Sequence, residues 1–188
     1  MNIVYGGSFN PPTKAHLNII KKLLDEFEGA KVILLPVGND YKKKELIDFK
    51  YRFEMLNLLI KPFSNKVIIS DLEQKRGFKG TIEALNELSK KYDNLHFVIG
   101  SDHLDKLNQW IDYKNLLKTY PFIVMNRNHY MTIEHAEKLF EHEAHQFIFV
   151  DFNMNISSSM IRKNIENHKN QLTHEVYDYI KENKLYEG

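Results

Sequence analysis

Six short aliphatic and aromatic runs, each followed by a stretch with helical spacing, limit the folds open to this chain more than any other feature. The runs are Ile3–Gly6, Lys31–Val37, Lys66–Ser70, Leu95–Gly100, Phe122–Asn126 and Phe147–Asp151. Between and after them the apolar periodicity predicts helices over Lys14–Glu28, Phe49–Ile60, Thr81–Tyr92, Tyr113–Lys118, Ile133–His142, Ser158–His168 and His174–Asn183. Strands that alternate with helices return parallel to one another, so the expected class is α/β with a doubly wound parallel sheet. At 188 residues, 43% of them hydrophobic, one core suffices, and a single domain over residues 1–188 is expected, including the helices from about 158 onward. In such sheets ligands lie beyond the carboxyl ends of the strands. Gly7 to His16, Gly100 to Asp102, Arg127 and the segment at Ser157 all follow strand ends, so they are expected to meet at one crevice.

The most specific of these segments is Tyr5 to His16, YGGSFNPPTKAH. Gly6 and Gly7 open backbone conformations closed to other residues, and Pro11-Pro12 keeps the loop from entering a helix early. Thr13 is placed as an N-cap. Leu17, Ile20, Leu23, Leu24 and Phe27 then supply one buried stripe, which puts His16 in the first turn beside unpaired backbone N–H groups. Those donors and the helix dipole favour an anion, to which an imidazole adds a further donor. A solvated cap histidine fits the same spacing. Neither GxGxxG nor GxxxxGK[ST] occurs, so the two common phosphate loops do not account for the glycines.

A second helix start follows the last strand run, at Asn155-Ile156-Ser157-Ser158-Ser159-Met160-Ile161-Arg162. Ser157 stands as the cap, Ile156 and Ile161 have the spacing of a hydrophobic staple, and Ser158 and Arg162, four apart, share a face. Hydroxyls and a guanidinium would converge there, although a serine-rich cap with a surface arginine reads the same way. Two anion-ready helix starts in one small α/β chain favour phosphate.

Other chemistries fit poorly. A net charge of +1 argues against a general nucleic-acid surface, and the ten Tyr and twelve Phe residues lack interleaved basic positions. With no Cys there is no disulfide, thiolate nucleophile or Cys-based zinc site, which fits a reducing cytoplasm. Glu134, His135, His142 and His145 gather around one helical segment but form no known ligand spacing, so no resident metal is expected. No secretory signal, membrane-length apolar run or repeat is visible.

With both segments in view, the chain resembles the bacterial nicotinate-nucleotide adenylyltransferase family of the nucleotidyltransferase superfamily, which carries G-x-F-x-P-x-H-x-G-H early and I-S-S-T-x-I-R late. Gly77 to Leu85 is similar to that family's S-Y-T-I-D-T-L stretch, Ile99 to Asp102 with Trp110 to its I-G-A-D…W block, and Tyr177 to Tyr186 to its closing helix. Four positions depart: Thr13 stands for the first His, Ala15 for Gly, Gly80 for Tyr and Glu83 for Asp. The resemblance implies a Rossmann-like fold and transfer of the adenylyl group of ATP to nicotinate mononucleotide in NAD biosynthesis, with Mg2+ accompanying ATP. It also implies His16 and Arg162 as catalytic residues. Gly7, Ser8, Phe9, Asn10, Thr13, Lys14, Gly100, Asp102, Ile156, Ser157, Ser158 and Ser159 join them at ATP, together with one of Lys42, Lys43 and Lys44. Thr81, Asp102, Trp110 and Arg127 are implied at the mononucleotide. Duller roles fit the latter as well: Thr81 as a helix cap, Asp102 as a turn residue, Trp110 as a core aromatic, Arg127 as a surface residue. Phosphopantetheine adenylyltransferases share both phosphate motifs, and a nonenzymatic nucleotide sensor would retain the pocket. The middle segments match the pyridine enzymes better.

Overall fold

The computed structural model describes residues 1–63, 65–77, 79–126, 131–153 and 157–187. Its centre is a six-stranded, all-parallel sheet of β1 (Asn2–Gly7), β2 (Lys31–Pro36), β3 (Val67–Ile69), β4 (Leu95–Gly100), β5 (Phe122–Asn126) and β6 (Phe147–Asp151), in the order β3-β2-β1-β4-β5-β6. This is the expected doubly wound, Rossmann-like sheet. The helices are α1 (Lys14–Glu26), α2 (Phe49–Ile60), α3 (Leu72–Arg76), α4 (Thr81–Leu88), α5 (Ser101–Leu104), α6 (Tyr113–Thr119), α7 (Ile133–Leu139), α8 (Ser158–Lys163), α9 (Ile165–His168) and α10 (His174–Glu182).

Neighbouring strand residues point to opposite faces, and here both faces are apolar. Ile3, Val32, Leu34 and Ile123 enter a core shared with α1, α2, α8 and α10. Val4, Ile33, Leu35 and Val124 enter a second core under α4, α6 and α7. A strand buried on both sides reads as a continuous hydrophobic run, which is why the strands were legible in the sequence. The order turns between β1 and β4, and the residues that follow them, Ser8 onward and Ser101 onward, open the crevice at the switch point.

Three expected helices differ. The one from Thr81 stops at Leu88, where the chain leaves through a turn at Lys90 to Tyr92, and the one from Ile133 stops at Leu139. The helix expected over Ser158–His168 is broken at Asn164, whose backbone is extended (φ −160°) and whose side chain accepts the Asn167 N–H at 2.9 Å to start α9. Two short helices, α3 and α5, were not anticipated, because four or five residues carry no periodic signal.

Candidate active site

The Ser8–His16 loop rests on an aromatic stack. Phe9 is buried at φ +45°, a left-handed conformation that a phenylalanine adopts only when its surroundings hold it there. Its ring lies edge-on to Tyr5 at 5.4 Å and 5.1 Å from the imidazole of His16. A Cβ at Gly7 would stand 3.2 Å from this ring, which accounts for the glycine. With its side chain in the core, Phe9 has only its backbone to offer a nucleotide.

Thr13 caps α1 as expected, and His16 completes a capping box with it. The Thr13 N–H donates to His16 Nδ1 at 2.9 Å, and the Thr13 hydroxyl accepts the Ala15 N–H at 3.2 Å. A backbone N–H can only donate, so Nδ1 must be the unprotonated nitrogen and the proton of the neutral ring sits on Nε2. Thr13 is fully buried, and its hydroxyl is engaged in the cap. His16 is half-buried against Phe9 and Tyr5.

The two helix starts singled out in the sequence, nearly 150 residues apart, are stitched together. Ser158 Oγ donates to the Pro11 carbonyl at 2.8 Å, and Arg162 Nη1 donates to the Asn10 carbonyl at 2.7 Å. The other edge of the same guanidinium faces Glu45, with Nη2 3.2 Å and Nε 3.4 Å from Oε2. Ser157 occupies the cap position of α8 but does not cap with its side chain; its hydroxyl pairs with that of Ser159 at 2.7 Å. Ile156 lies outside the described residues.

A third segment, between β2 and α2, closes over this loop. Its ends are pinned by Asn39, which donates to Asp48 Oδ2 at 3.0 Å and accepts the Phe49 N–H at 2.6 Å. Its middle carries Lys43, whose ammonium donates to Ser8 Oγ at 2.9 Å. Of the three consecutive lysines, this is the one with a hydrogen bond to the loop among the described residues. Arg52, on the buried stripe of α2, donates from Nε to the Ile47 carbonyl and from Nη1 to the Ser8 carbonyl, at 2.9 and 3.0 Å. Its Nη2 is buried with no hydrogen-bond partner among the described residues. Desolvation, followed by the charges of Arg162 and Arg52, holds the Lys43 ammonium below the usual lysine range. Three cations thus converge on Ser8–Asn10, opposed there by the Glu45 carboxylate, whose side chain is 60% exposed while that of Arg162 is 11% exposed. Such a cluster is stabilised by a polyanion.

Lys14 turns the other way and donates to the Asn170 carbonyl at 2.8 Å. Gly100 and Asp102 sit at the end of β4, the strand beside β1. The Asp102 carboxylate folds back so closely that its Oδ1 is 2.5 Å from where a Gly100 Cβ would stand. Gly80 rather than Thr81 is the cap of α4, at φ +92°, and Thr81 is the first helical residue. A Cβ at Gly80 would lie 3.0 Å from Ile111 Cβ, so Ile111 occupies the space a larger residue would claim and the Thr81 and Trp110 segments meet there. Trp110 is half-buried with its ring edge-on to Phe97 at 6.1 Å. Arg127 lies outside the described residues. No described hydrogen bond joins Gly100, Asp102, Thr81 or Trp110 to the Ser8–Arg162 cluster.

Sequence reasoning passed over Arg52, Glu45, Asn10's role as a junction, and Tyr186. Arg52 had a signal: it interrupts the apolar stripe Phe49, Met55, Leu56, Leu59 at a helical interval.

Residues 4–164 match the cytidylyltransferase-like family. A protein of Acholeplasma laidlawii described as a probable nicotinate-nucleotide adenylyltransferase is 46% identical over 188 residues, covering 100% of this chain and 98% of that one. The chain belongs to the nicotinate-nucleotide adenylyltransferase family. A relative with the same description from Clostridium acetobutylicum is 33% identical, with 97% of each chain covered. Among solved structures, the Plasmodium falciparum nicotinic acid mononucleotide adenylyltransferase complexed with NaAD superposes with a TM-score of 0.80 at 24% identity, over 98% of this chain and 96% of that one. That likeness establishes the family's fold for this chain.

Proposed function

We infer that this chain transfers the adenylyl group of MgATP to the 5′-phosphate of nicotinate mononucleotide, giving deamido-NAD and pyrophosphate. The observation that carries the reading is the pair of hydrogen bonds from Ser158 and Arg162 to the carbonyls of Pro11 and Asn10, which makes one cationic site of two distant motifs.

The chemistry needs no protein nucleophile. An oxygen of the mononucleotide phosphate attacks the α-phosphorus, the bond from that phosphorus to the α,β-bridging oxygen breaks, and its electron pair leaves on pyrophosphate. The protein's tasks are alignment and neutralisation of charge on the departing group. His16 Nε2–H serves as a donor to the phosphates. Arg162 stays anchored on the Asn10 carbonyl and exchanges the Glu45 carboxylate for phosphate oxygens, and Lys43 adds a charge at Ser8. Mg2+ enters with the nucleotide as substrate; among the described residues no three His, Cys, Asp or Glu side chains gather to cage a metal. The family's motifs assign Gly100 and Asp102 to a ribose and Thr81 and Trp110 to the pyridine, and this reading adopts those roles. Backbone N–H groups of that region would pair with the nicotinate carboxylate and discriminate against the amide, which presents an unmatched NH2.

Incubating the full chain with MgATP and, separately, nicotinate mononucleotide, nicotinamide mononucleotide or phosphopantetheine, with products identified by mass, tests this. The expected result is deamido-NAD and equimolar pyrophosphate, with a nicotinate preference on the order of a hundredfold in kcat/KM. Equal or reversed preference overturns the acceptor assignment. Adenylylated phosphopantetheine as the main product favours that transfer instead, and ATP binding without any product favours a nonenzymatic nucleotide sensor.

A further inference from the structure

Beyond α10 the chain turns sharply through two left-handed residues, Lys184 at φ +50° and Tyr186 at φ +63°, with Leu185 buried between them. The Leu185 N–H bonds the Ile180 carbonyl at 3.0 Å and closes the helix end. The turn delivers the Tyr186 hydroxyl to Asn10 Oδ1, 2.8 Å away and 176 residues distant in sequence.

Asn10 is 0% exposed, and every polar atom of its side chain is committed. Its Nδ2 donates to the Glu45 carbonyl at 2.7 Å, and Oδ1 receives the Ile47 N–H at 3.4 Å together with the Tyr186 hydroxyl. A carbonyl can only accept and an N–H can only donate, so the amide has one orientation and the phenol must be the donor. Burial pushes the Tyr186 hydroxyl well above the usual tyrosine range, against the pull of Arg162 and Arg52, and so keeps its proton in place. The same Asn10 holds Arg162 Nη1 on its backbone carbonyl. One residue therefore joins the tyrosine after α10, the strap that carries Lys43 and Glu45, and the arginine of α8.

We propose that Tyr186 is a positioning residue for adenylyl transfer: its hydroxyl fixes Asn10, and through Asn10 it sets the place of Arg162 and of the strap at the triphosphate. Without the hydroxyl, Oδ1 keeps only the 3.4 Å bond from Ile47, which is too long to hold the amide firmly. A hydrogen bond in a dry site strengthens its neighbours, so its loss propagates along the network to the guanidinium. The proposal rests on the reading of this site as an ATP site.

The test compares wild type, Tyr186→Phe and Tyr177→Phe as full chains. Tyr177 is the control, since its hydroxyl bonds Glu166 on the exterior of the C-terminal helices, away from Asn10. Calorimetric titration with Mg2+ and α,β-methylene-ATP reads nucleotide binding without turnover, and steady-state kinetics read KM for each substrate. Tyr186→Phe is expected to weaken the analogue by about tenfold, the effect of one lost hydrogen bond. KM for MgATP should rise in step while KM for the mononucleotide holds, and Tyr177→Phe should behave as wild type. Wild-type affinity for the analogue in Tyr186→Phe, or an equal rise in both KM values, overturns the positioning role alone. Failure of the wild-type chain to bind the analogue overturns the ATP reading, and this inference with it.

Discussion

Replacing His16 separates two jobs of one imidazole, the first seen in the structure and the second proposed above. Nδ1 closes the capping box of α1 by accepting the Thr13 N–H, while Nε2 is the proposed donor to phosphate. His16→Ala removes both, together with a half-buried ring packed on Phe9 and Tyr5. Loss of the capping-box bond from the Thr13 N–H costs about 1 kcal/mol, and the lost ring burial roughly another 1 kcal/mol. At about 2–4 °C per kcal/mol for a chain of this size, the melting temperature should fall by roughly 4–8 °C. Turnover should fall much further, by about 10²–10³, the usual effect of deleting one preorganised donor at a site of developing charge. His16→Asn distinguishes the two. An asparagine oxygen at the same helical position accepts the Thr13 N–H and recovers about 1 kcal/mol of the cap, but offers no donor at the Nε2 position. Thermal melts and a pyrophosphate-release assay on the three proteins read both quantities. The expected pattern is partial recovery of stability in the Asn variant with turnover as low as in the Ala variant. Turnover that recovers in parallel with stability would refute the donor role and leave His16 as a cap.

Arg162→Lys keeps the charge but loses the planar fork whose two edges reach the Asn10 carbonyl and the Glu45 side in fixed geometry, so kcat/KM for MgATP should fall by about 10–100-fold; full activity in steady-state kinetics would exclude a geometric role. Glu73 is 5% exposed, with Oε2 unpartnered among the described residues, and burial first, then Asp40, raises its carboxyl from 4.5 to about 7 against a bond from the Gly38 N–H and the charge of Arg52. The folded chain therefore holds this proton more tightly than the unfolded chain. The contribution is fully present below about pH 4.5 and is lost as pH rises toward and past 7, which destabilises the protein by on the order of 3 kcal/mol. Glu73→Gln should remove that loss, so its stability advantage in urea unfolding should grow between pH 5 and pH 8; a pH-independent difference would contradict the assignment. Trp110→Ala should raise KM for the mononucleotide more than KM for MgATP, with a stability cost of roughly 2 kcal/mol for a half-buried indole, whereas a stability cost alone would make Trp110 a core residue.

The parts of the site that lay on long periodic segments were legible, because local chemistry decides them. Thr13 is a cap wherever a proline-ended loop meets an apolar stripe, and His16 in the first turn follows from it. Arg52 went unread because its value depends on what it is buried against: on α2 it is one polar residue in an apolar row, and only the approach of the Ser8 and Ile47 carbonyls makes it a clamp. Glu45 and Tyr186 had no local signal, since each acts through a partner more than a hundred residues away. The break at Asn164 was missed for a related reason: an asparagine side chain that caps the next helix outweighs an apolar period that runs through it.

By itself the sequence determined the parallel sheet, since strands that are apolar on both faces and joined by helices have few other arrangements, and its glycine, proline and serine chemistry singled out the two loops that the fold brings together. The tertiary structure decided that Phe9 packs as a floor under His16, that Lys43 bonds the loop, and that Asn10 joins three segments. The last two outcomes turn on hydrogen bonds between residues remote in the chain. A side chain's type fixes what it can donate or accept, but only the fold fixes which atom stands 2.7 or 2.8 Å away to receive it.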